Sequence, residues 1–165
     1  MINIEPPSTD FNAITRSKSA LTRFLHRAQK AVGLAGEVDV LLTSDEEMRR
    51  LNRTFRKKNK ATDVLSFPAP EELAEEHAGD LAISLDTAAR QAESFGHSLN
   101  DEVKILLLHG LLHLAGMDHE VDSGEMAARE AELRAELKLP VSLIERVSAP
   151  RARSKTSSAT RRSSR

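Results

Sequence analysis

Three histidines in the second half of the chain have the spacing of metal ligands. His109 and His113 are four residues apart, so on a helix their rings project from one face, one turn apart. Gly116 is well placed to end that helix in a left-handed conformation and to reverse the chain. That reversal would bring His119 to the same point. The pattern predicts a metal site formed by His109, His113 and His119.

Three neutral imidazoles with an open fourth position are the arrangement of a catalytic zinc site. We therefore predict one Zn²⁺ per chain, while an all-nitrogen ligand set also suits copper, nickel or iron. The alternative is that the three are ordinary core histidines. Burying three unpaired imidazoles on an apolar helix is costly, and a shared metal removes that cost. His26, His77 and His97 lack partners at ligand spacing and are predicted to be surface residues.

The segment 109–113 resembles the His-Glu-x-x-His helix of zinc proteases but lacks its general base. The glutamate would stand where this chain has Gly110. Peptidase chemistry thereby loses its expected base, and we expect the glycine to leave room beside the metal for substrate backbone. Zinc alone can lower the pKa of a bound water to about 7, which makes a hydroxide nucleophile.

Two further residues are candidates for catalysis. Asp118 directly precedes His119 and is expected to act as a hydrogen-bond partner of the site or as a proton acceptor; the alternative is that it only caps the turn. A positive side chain is needed to hold a phosphate or to stabilise the charge that develops on it. Arg56 is our candidate, and the alternative is that it belongs to a solvated charged face.

Regular elements must position these residues. Apolar periodicity and turn residues predict strands over 2–5, 37–43, 63–68 and 80–84, and helices over 15–33, 44–55, 84–95, 98–115 and 125–137, with a short closing segment over 138–147. Ser44 and Ser98 each stand three residues before an acidic residue, which is capping-box spacing. Between Ile105 and Ala115 only Gly110 and two histidines are not apolar, so this helix is predicted to be buried and central.

The order of these elements predicts an α+β fold. A mixed sheet of about four strands is expected to pack with helices, one of which is the central helix that carries two histidine ligands. The two αβ units favour parallel strand pairs, and the consecutive strands 63–68 and 80–84 can pair antiparallel. The chain of 165 residues suits one domain of ordinary size.

Composition narrows the class of protein. With 39% hydrophobic and 30% charged residues the chain has a globular balance, and the lack of cysteine excludes disulfides and thiolate ligands. Aromatic residues are 3% of the chain, which argues against an aromatic base-stacking platform. No signal peptide is visible and no apolar stretch is long enough to span a bilayer, so we expect a cytoplasmic protein without a membrane partner.

Charge is divided unevenly along the chain. The net charge is -1, but the last 16 residues carry six basic residues and no acid. The remaining 18 basic and 25 acidic residues give residues 1–149 a charge of about -7. We predict one folded domain over 1–148 and a disordered basic Ser/Arg-rich tail over 149–165.

Three motifs together resemble the YbeY family of bacterial rRNA maturation factors. They are Leu51-Asn52-Arg53-Thr54-Phe55-Arg56 leading to Thr62-Asp63-Val64-Leu65-Ser66-Phe67-Pro68, then Gly79-Asp80-Leu81-Ala82-Ile83-Ser84, and the segment 109–119 with its three histidines. The resemblance covers roughly residues 37–140. The basic tail is an addition to the family pattern.

The resemblance implies a metal-dependent endoribonuclease specific for single strands. Its family role is the maturation of the 3′ end of 16S rRNA and late-stage ribosome quality control, with the small ribosomal subunit and assembly factors as partners. It places the zinc ligands on His109, His113 and His119 and the functional arginine on Arg56. RNA is then expected to follow the basic stretch, whose candidate contacts are Arg49, Arg53, Lys57, Lys58 and Lys60.

Two other functions remain open from the residues alone. One is a metallopeptidase or amidohydrolase, against which Gly110 argues. The other is a non-catalytic ribosome-assembly factor with a structural metal. A structural zinc normally has four protein ligands, and the three found here favour catalysis. The acidic charge of residues 1–149 opposes RNA binding outside the basic stretch, which is a reason to expect partner proteins that deliver the substrate.

Overall fold

A four-stranded mixed sheet forms the centre of the computed structural model, which describes residues 1–5, 12–57, 62–140 and 144. Its strands lie in the order β1-β2-β4-β3. β2 pairs in parallel with both β1 and β4, whereas β3 is antiparallel to β4 and lies at one edge of the sheet. The strands are β1 (Ile2–Ile4), β2 (Glu37–Thr43), β3 (Val64–Pro68) and β4 (His77–Ser84). The predicted α+β fold with a mixed four-stranded sheet is confirmed.

Helices cover both faces of this sheet. They are α1 (Asn12–Arg16), α2 (Lys18–Val32), α3 (Asp45–Arg56), α4 (Leu85–Phe95), α5 (Leu99–Leu114) and α6 (Glu125–Glu136), with a short 3₁₀ turn at Glu71–Leu73. On one face, Met48 of α3 packs with Leu65 and Ala82 of the sheet. On the other face, α2, α4, α5 and α6 enclose the main core, and α5 is buried along most of its length, as its apolar sequence predicted.

Two element boundaries differ from the sequence-based expectation. The helix predicted over 15–33 is two helices, because the Ser17 N–H turns back to the Ile14 carbonyl and a new helix starts there. β4 begins at His77 rather than at residue 80, because Gly79 lies inside the strand instead of ending a loop. Of the closing segment predicted over 138–147, Leu139 and Ile144 are buried in the core and residues 141–143 and 145–147 lie outside the described residues, as does the tail.

Serine caps begin the helices that carry the site. Ser44 Oγ accepts from the Glu47 N–H at 3.1 Å, and Ser98 Oγ accepts from the Asp101 N–H at 3.0 Å, as the capping-box spacing predicted. α3 is also tied to α4 through Asp45, whose backbone N–H donates to the Asp86 carboxylate. In the part of the chain that is described, no helix is long and apolar enough to cross a bilayer.

Burial alone would raise the pKa of Asp45, but its hydrogen bonds outweigh that effect. The carboxylate accepts from the hydroxyls of Ser84 and Thr87 and from the Arg90 guanidinium, so its pKa lies below the ordinary value. These bonds join the start of α3 to the end of β4 and the first turn of α4. The orientation of α3, which carries Arg56, is thereby fixed at its first turn.

Gly79 is the position where a side chain would most disturb the sheet. Its φ is +151°, and a Cβ there would lie 2.6 Å from the Phe67 carbonyl oxygen of β3 and 2.7 Å from a Leu114 methyl of α5. We predict that Gly79→Ala lowers the free energy of unfolding by roughly 2–5 kcal/mol, from backbone strain and overpacking together. Urea unfolding measures this change.

The matched control is Gly96→Ala. Gly96 also has positive φ, +75°, but its Cβ would meet nothing within 4 Å. Gly96→Ala should lower the free energy of unfolding by only about 1–2 kcal/mol, because only the left-handed backbone conformation disfavours a side chain there. Equal losses in the two variants would contradict the steric explanation.

Candidate metal centre

The three histidines converge at the C-terminal end of α5. The ring centroids of His109 and His113 are 4.7 Å apart, and that of His119 lies 5.3 Å and 5.6 Å from them. One ring nitrogen from each residue lies within 4.8 Å of the other two. Gly116 makes this possible, because its φ of +97° reverses the chain after α5 and returns His119 to the helix face. The predicted juxtaposition is present.

Hydrogen bonds behind two of the rings determine where their lone pairs point. His113 Nδ1 lies 2.9 Å from the Met117 carbonyl, which can only accept, so Nδ1 carries the proton. His109 Nδ1 lies 2.6 Å from a Glu130 carboxylate oxygen, which accepts in the same way when ionised. In the neutral rings both Nε2 atoms therefore carry lone pairs, and these two atoms face each other at 3.1 Å.

This arrangement fits a bound metal ion. Two facing lone pairs repel each other unless a cation lies between them, and a tetrahedral zinc holds its nitrogens about 3.3 Å apart. His119 Nδ1 is buried without a hydrogen-bond partner among the described residues, so this imidazole too has unused capacity. A group of three imidazoles, two of them oriented by hydrogen bonds, can hold a metal ion, as the spacing predicted.

The electrostatic environment of His113 also favours its neutral imidazole. Burial lowers the pKa of His113, and the neighbouring His109 lowers it further. Because a metal binds only unprotonated nitrogen, a lowered pKa keeps this ligand competent at mildly acidic pH.

The histidines open into a cleft of about 580 Å³ that runs beside the free edge of β3. Arg56, at the C-terminal end of α3, lines the same cleft and donates from Nη2 to the Ser66 carbonyl at 3.0 Å. The buried Asn52, one turn earlier on α3, lines it too. Arg56 and the imidazoles therefore line the same cavity, and Arg56 is bonded to the edge strand β3.

The same strand edge presents a backbone donor to the cleft. Odd-numbered residues of this segment bond to β4. Two bonds show this: the Ser84 N–H donates to the Asp63 carbonyl, and the Ala69 N–H donates to the Ala78 carbonyl. The N–H of Ser66 therefore points outward, on the same side as the Ser66 carbonyl that accepts from Arg56. No described residue accepts from it. Together with Arg56 it can donate to an anion in the cleft.

Asp118 lies at the rim of this cleft. Its Oδ1 accepts from the Glu120 N–H at 3.0 Å, so it does cap the turn. The carboxylate is exposed and faces the same cavity as the three histidines, a position from which it can also accept a proton. Asp63 and Glu120 are the other carboxylates that line the cavity.

The basic residues predicted to contact RNA continue away from the cleft along α3. Arg49, Arg53 and Arg56 are spaced i, i+4, i+7 and share one face of the helix. Arg49 and Arg53 border a second, shallow depression rather than the cleft itself. Lys57 is exposed and ends α3 in a left-handed conformation, and Lys58 and Lys60 lie outside the described residues.

Two expectations about single residues are wrong. Gly110 does not make room for substrate, because it faces the sheet: a Cβ would lie 2.8 Å from Leu81 Cδ2 and 3.4 Å from Ser66 Oγ. Its small size lets α5 approach β3 and β4 closely. His97 is not a surface residue, since its side chain is 8% exposed and bonds to the fully buried Glu102 at 2.7 Å. His26 is exposed and His77 partly exposed.

Glu130 is the functional residue that the sequence analysis missed. It is 1% exposed; one carboxylate oxygen bonds to His109 and the other accepts from the Ile144 N–H at 2.7 Å. A signal was present, because Met126, Glu130 and Leu133 have the spacing of the buried stripe of α6. A glutamate in an apolar stripe indicates a buried partner.

Comparisons with known proteins show which proteins this chain is similar to. The family model described as Endoribonuclease YbeY matches residues 4–138. A protein of Koribacter versatilis with that name is 59% identical over 81% of this chain and 86% of its own length. One of Solibacter usitatus is 54% identical over 81% and 88%. The solution structure of TM1509 from Thermotoga maritima is similar with a TM-score of 0.57 and 28% identity, covering 83% of this chain and 89% of that one.

The carboxylate of Glu130 should matter for metal affinity. Glu130→Gln removes the negative charge behind His109. The amide has only one oxygen, so it cannot accept from both His109 and the Ile144 N–H as the two carboxylate oxygens do. We predict that it weakens metal binding about 10- to 100-fold. Competition against a chromophoric chelator measures the affinity, and circular dichroism checks the fold. Glu132→Gln, an exposed glutamate of the same helix, is the control; equal affinities in the two variants would contradict the assignment.

The lowered pKa of His113 predicts how the stability of metal-free protein depends on pH. The unfolded chain takes up this proton near pH 6.5, its ordinary pKa, whereas the folded state takes it up only at lower pH. The contribution of His113 to the free energy of unfolding should therefore be largest above pH 6.5 and fall as the pH drops below 6.5. His113→Gln should reduce that slope. Urea unfolding at a series of pH values tests this, and an equal slope in both proteins would be the contrary result.

Proposed function

The chain belongs to the YbeY family of endoribonucleases, and on that premise we propose that it is a metal-dependent endoribonuclease that cleaves single-stranded RNA in rRNA maturation. The observation that carries the proposal is the pair of facing imidazole nitrogens, 3.1 Å apart, in a cleft that also contains Arg56. The imidazoles call for a cation, and the guanidinium of Arg56 beside them can hold a phosphate. This combination suits hydrolysis of a phosphodiester.

The metal is zinc, one ion per chain, held by His109, His113 and His119. Three nitrogen ligands with room for a fourth are the arrangement of catalytic zinc. When bound, the ion supplies a Lewis acid and lowers the pKa of a water molecule to about 7. Glu130 and the Met117 carbonyl keep the nitrogens of two ligands aimed at it.

The remaining groups act on the phosphodiester. Arg56 and the Ser66 N–H donate to its nonbridging oxygens and stabilise the negative charge that grows on them. Asp118, at the rim of the cleft, is the proton acceptor. Arg49, Arg53, Lys57, Lys58 and Lys60 provide phosphate contacts that do not depend on base sequence.

The substrate is the 3′ end of 16S rRNA, and the activity contributes to late-stage ribosome quality control in the cytoplasm. This part of the proposal follows from the family. The catalytic domain is residues 1–148, and 149–165 is a basic extension. Because residues 1–149 carry about -7, RNA is repelled from most of the domain, which favours approach along α3 and delivery by the small subunit and assembly factors.

A peptidase has less support. The position of the protease glutamate is Gly110, which is buried against Leu81, so no carboxylate can reach the metal from there. A purely structural role for the metal has less support as well, because the site has three imidazoles and opens into a cleft.

Cleavage of a single-stranded RNA by purified protein, with and without chelator, tests the function. Wild type should cut only when metal is present. His113→Ala should be inactive, and Arg56→Ala should lose about 10²- to 10³-fold in kcat, the usual effect of removing one donor to a developing oxyanion. Arg23→Ala, an exposed arginine of α2, should cut like wild type. Equal cutting by wild type and both site variants would show that the nuclease assignment is wrong.

A further inference from the structure

We propose that the ring of Phe55 is a stacking surface for one base of the RNA strand whose phosphate occupies the cleft. The proposal rests on the proposed function, because it assumes that the polymer in the cleft is RNA. It adds a contact of a different kind. The imidazoles would hold the metal, Arg56 and the Ser66 N–H act on a phosphate, and none of these groups engages a base.

Phe55 is exposed although it belongs to an apolar stripe. Met48, Leu51 and Phe55 follow one another on the inward side of α3, and Met48 is fully buried. By the last turn of α3 the stripe has reached the edge of the sheet, and Phe55 is 63% exposed. Among the described residues it is the one aromatic side chain with such exposure. An exposed phenyl ring keeps its apolar face available to a planar partner.

The ring lies across the edge strand β3 from the cleft. It contacts Phe67 of β3 in a T-shaped arrangement, with the centroids 5.5 Å apart and the planes at 67°. Phe67 alternates along β3 with Ser66 and Pro68, which line the cleft, so its side chain lies on the opposite face of the strand, near Met48 and Leu65. Phe55 directly precedes Arg56, which lines the cleft and donates to the Ser66 carbonyl at the strand edge. A nucleotide with its phosphate at Arg56 can therefore lay its base across this strand edge onto Phe55.

The charges around Phe55 favour a nucleic acid over an apolar protein segment. Arg53, Arg56 and Lys57 surround it in sequence at the end of α3, and all three are exposed. A single aromatic ring among cations is the combination that single-strand binders use: the cations hold the backbone and the ring takes a base. Low aromatic content excludes an extended platform but leaves room for one such ring. Stacking also requires an unpaired base, which accounts for a preference for single strands.

Fluorescence tests the contact directly, because the chain has no Trp and no Tyr. Phe55→Trp therefore carries a single indole at the proposed position. In the metal-loaded protein, stopped-flow mixing with a 12-nucleotide single-stranded RNA should quench this emission before cleavage. An abasic ribose-phosphate oligomer of equal length should bind with little quenching. Leu73→Trp, an exposed site on the 3₁₀ turn, is the matched control and should respond to neither.

Affinity and kinetics give the second readout. Phe55→Ala should bind the RNA roughly 5- to 100-fold more weakly, the range that one stacked base provides. Most of that loss should appear in KM rather than kcat. Phe55→Leu keeps the apolar contact with Phe67 but has no ring and should be weakened as well, whereas Phe55→Trp should bind at least as well as wild type. Thermal unfolding of each variant verifies the fold.

The outcomes separate the two proposals. If wild type neither binds nor cuts RNA, both are wrong. If wild type cuts and Phe55→Leu has the same KM, or if the indole emission is the same with RNA and with the abasic oligomer, only the stacking proposal is overturned. Phe55 would then be a packing group or part of a protein interface.

Discussion

Two imidazole nitrogens that face each other across 3.1 Å are the constraint on which this structure depends. Each ring is fixed from behind, His113 by the Met117 carbonyl and His109 by Glu130, so neither can turn its proton toward the other without losing a hydrogen bond. A cation between them resolves the conflict. The fold therefore holds the arrangement ready for a metal, and a bound metal would in turn stabilise the fold.

Elements far apart in the chain meet to build that site. α5 brings two histidines, the Gly116 turn returns the third, and α6 supplies Glu130. The edge strand β3 and the end of α3 form the opposite wall with Arg56. Gly110 lets α5 lie against β3 and β4, so the residue that stands in place of the protease base also brings the imidazoles close to the strand edge.

The parts of this site that are local in sequence could be predicted, and the parts that depend on tertiary partners could not. Histidines at i and i+4, a glycine stop and serine caps follow from the helical period and from backbone hydrogen bonding, and the structure agrees. The bond of Glu130 to His109, the outward N–H of Ser66 and the buried pair of His97 with Glu102 depend on which surfaces meet, although the burial of Glu130 itself had a signal in the stripe of α6. The same holds for Phe55, because composition counts aromatic rings but cannot say which one the sheet leaves uncovered.

The coordination of the bound metal tests the central claim most directly. X-ray absorption at the zinc edge on the purified, zinc-loaded protein reports the number and type of ligands. We expect one zinc per chain with three imidazole nitrogens and one solvent oxygen at about 2.0–2.1 Å, and the loss of one imidazole in His119→Ala. Two or fewer imidazoles in wild type, or a spectrum unchanged by that substitution, would contradict a metal centre built from His109, His113 and His119.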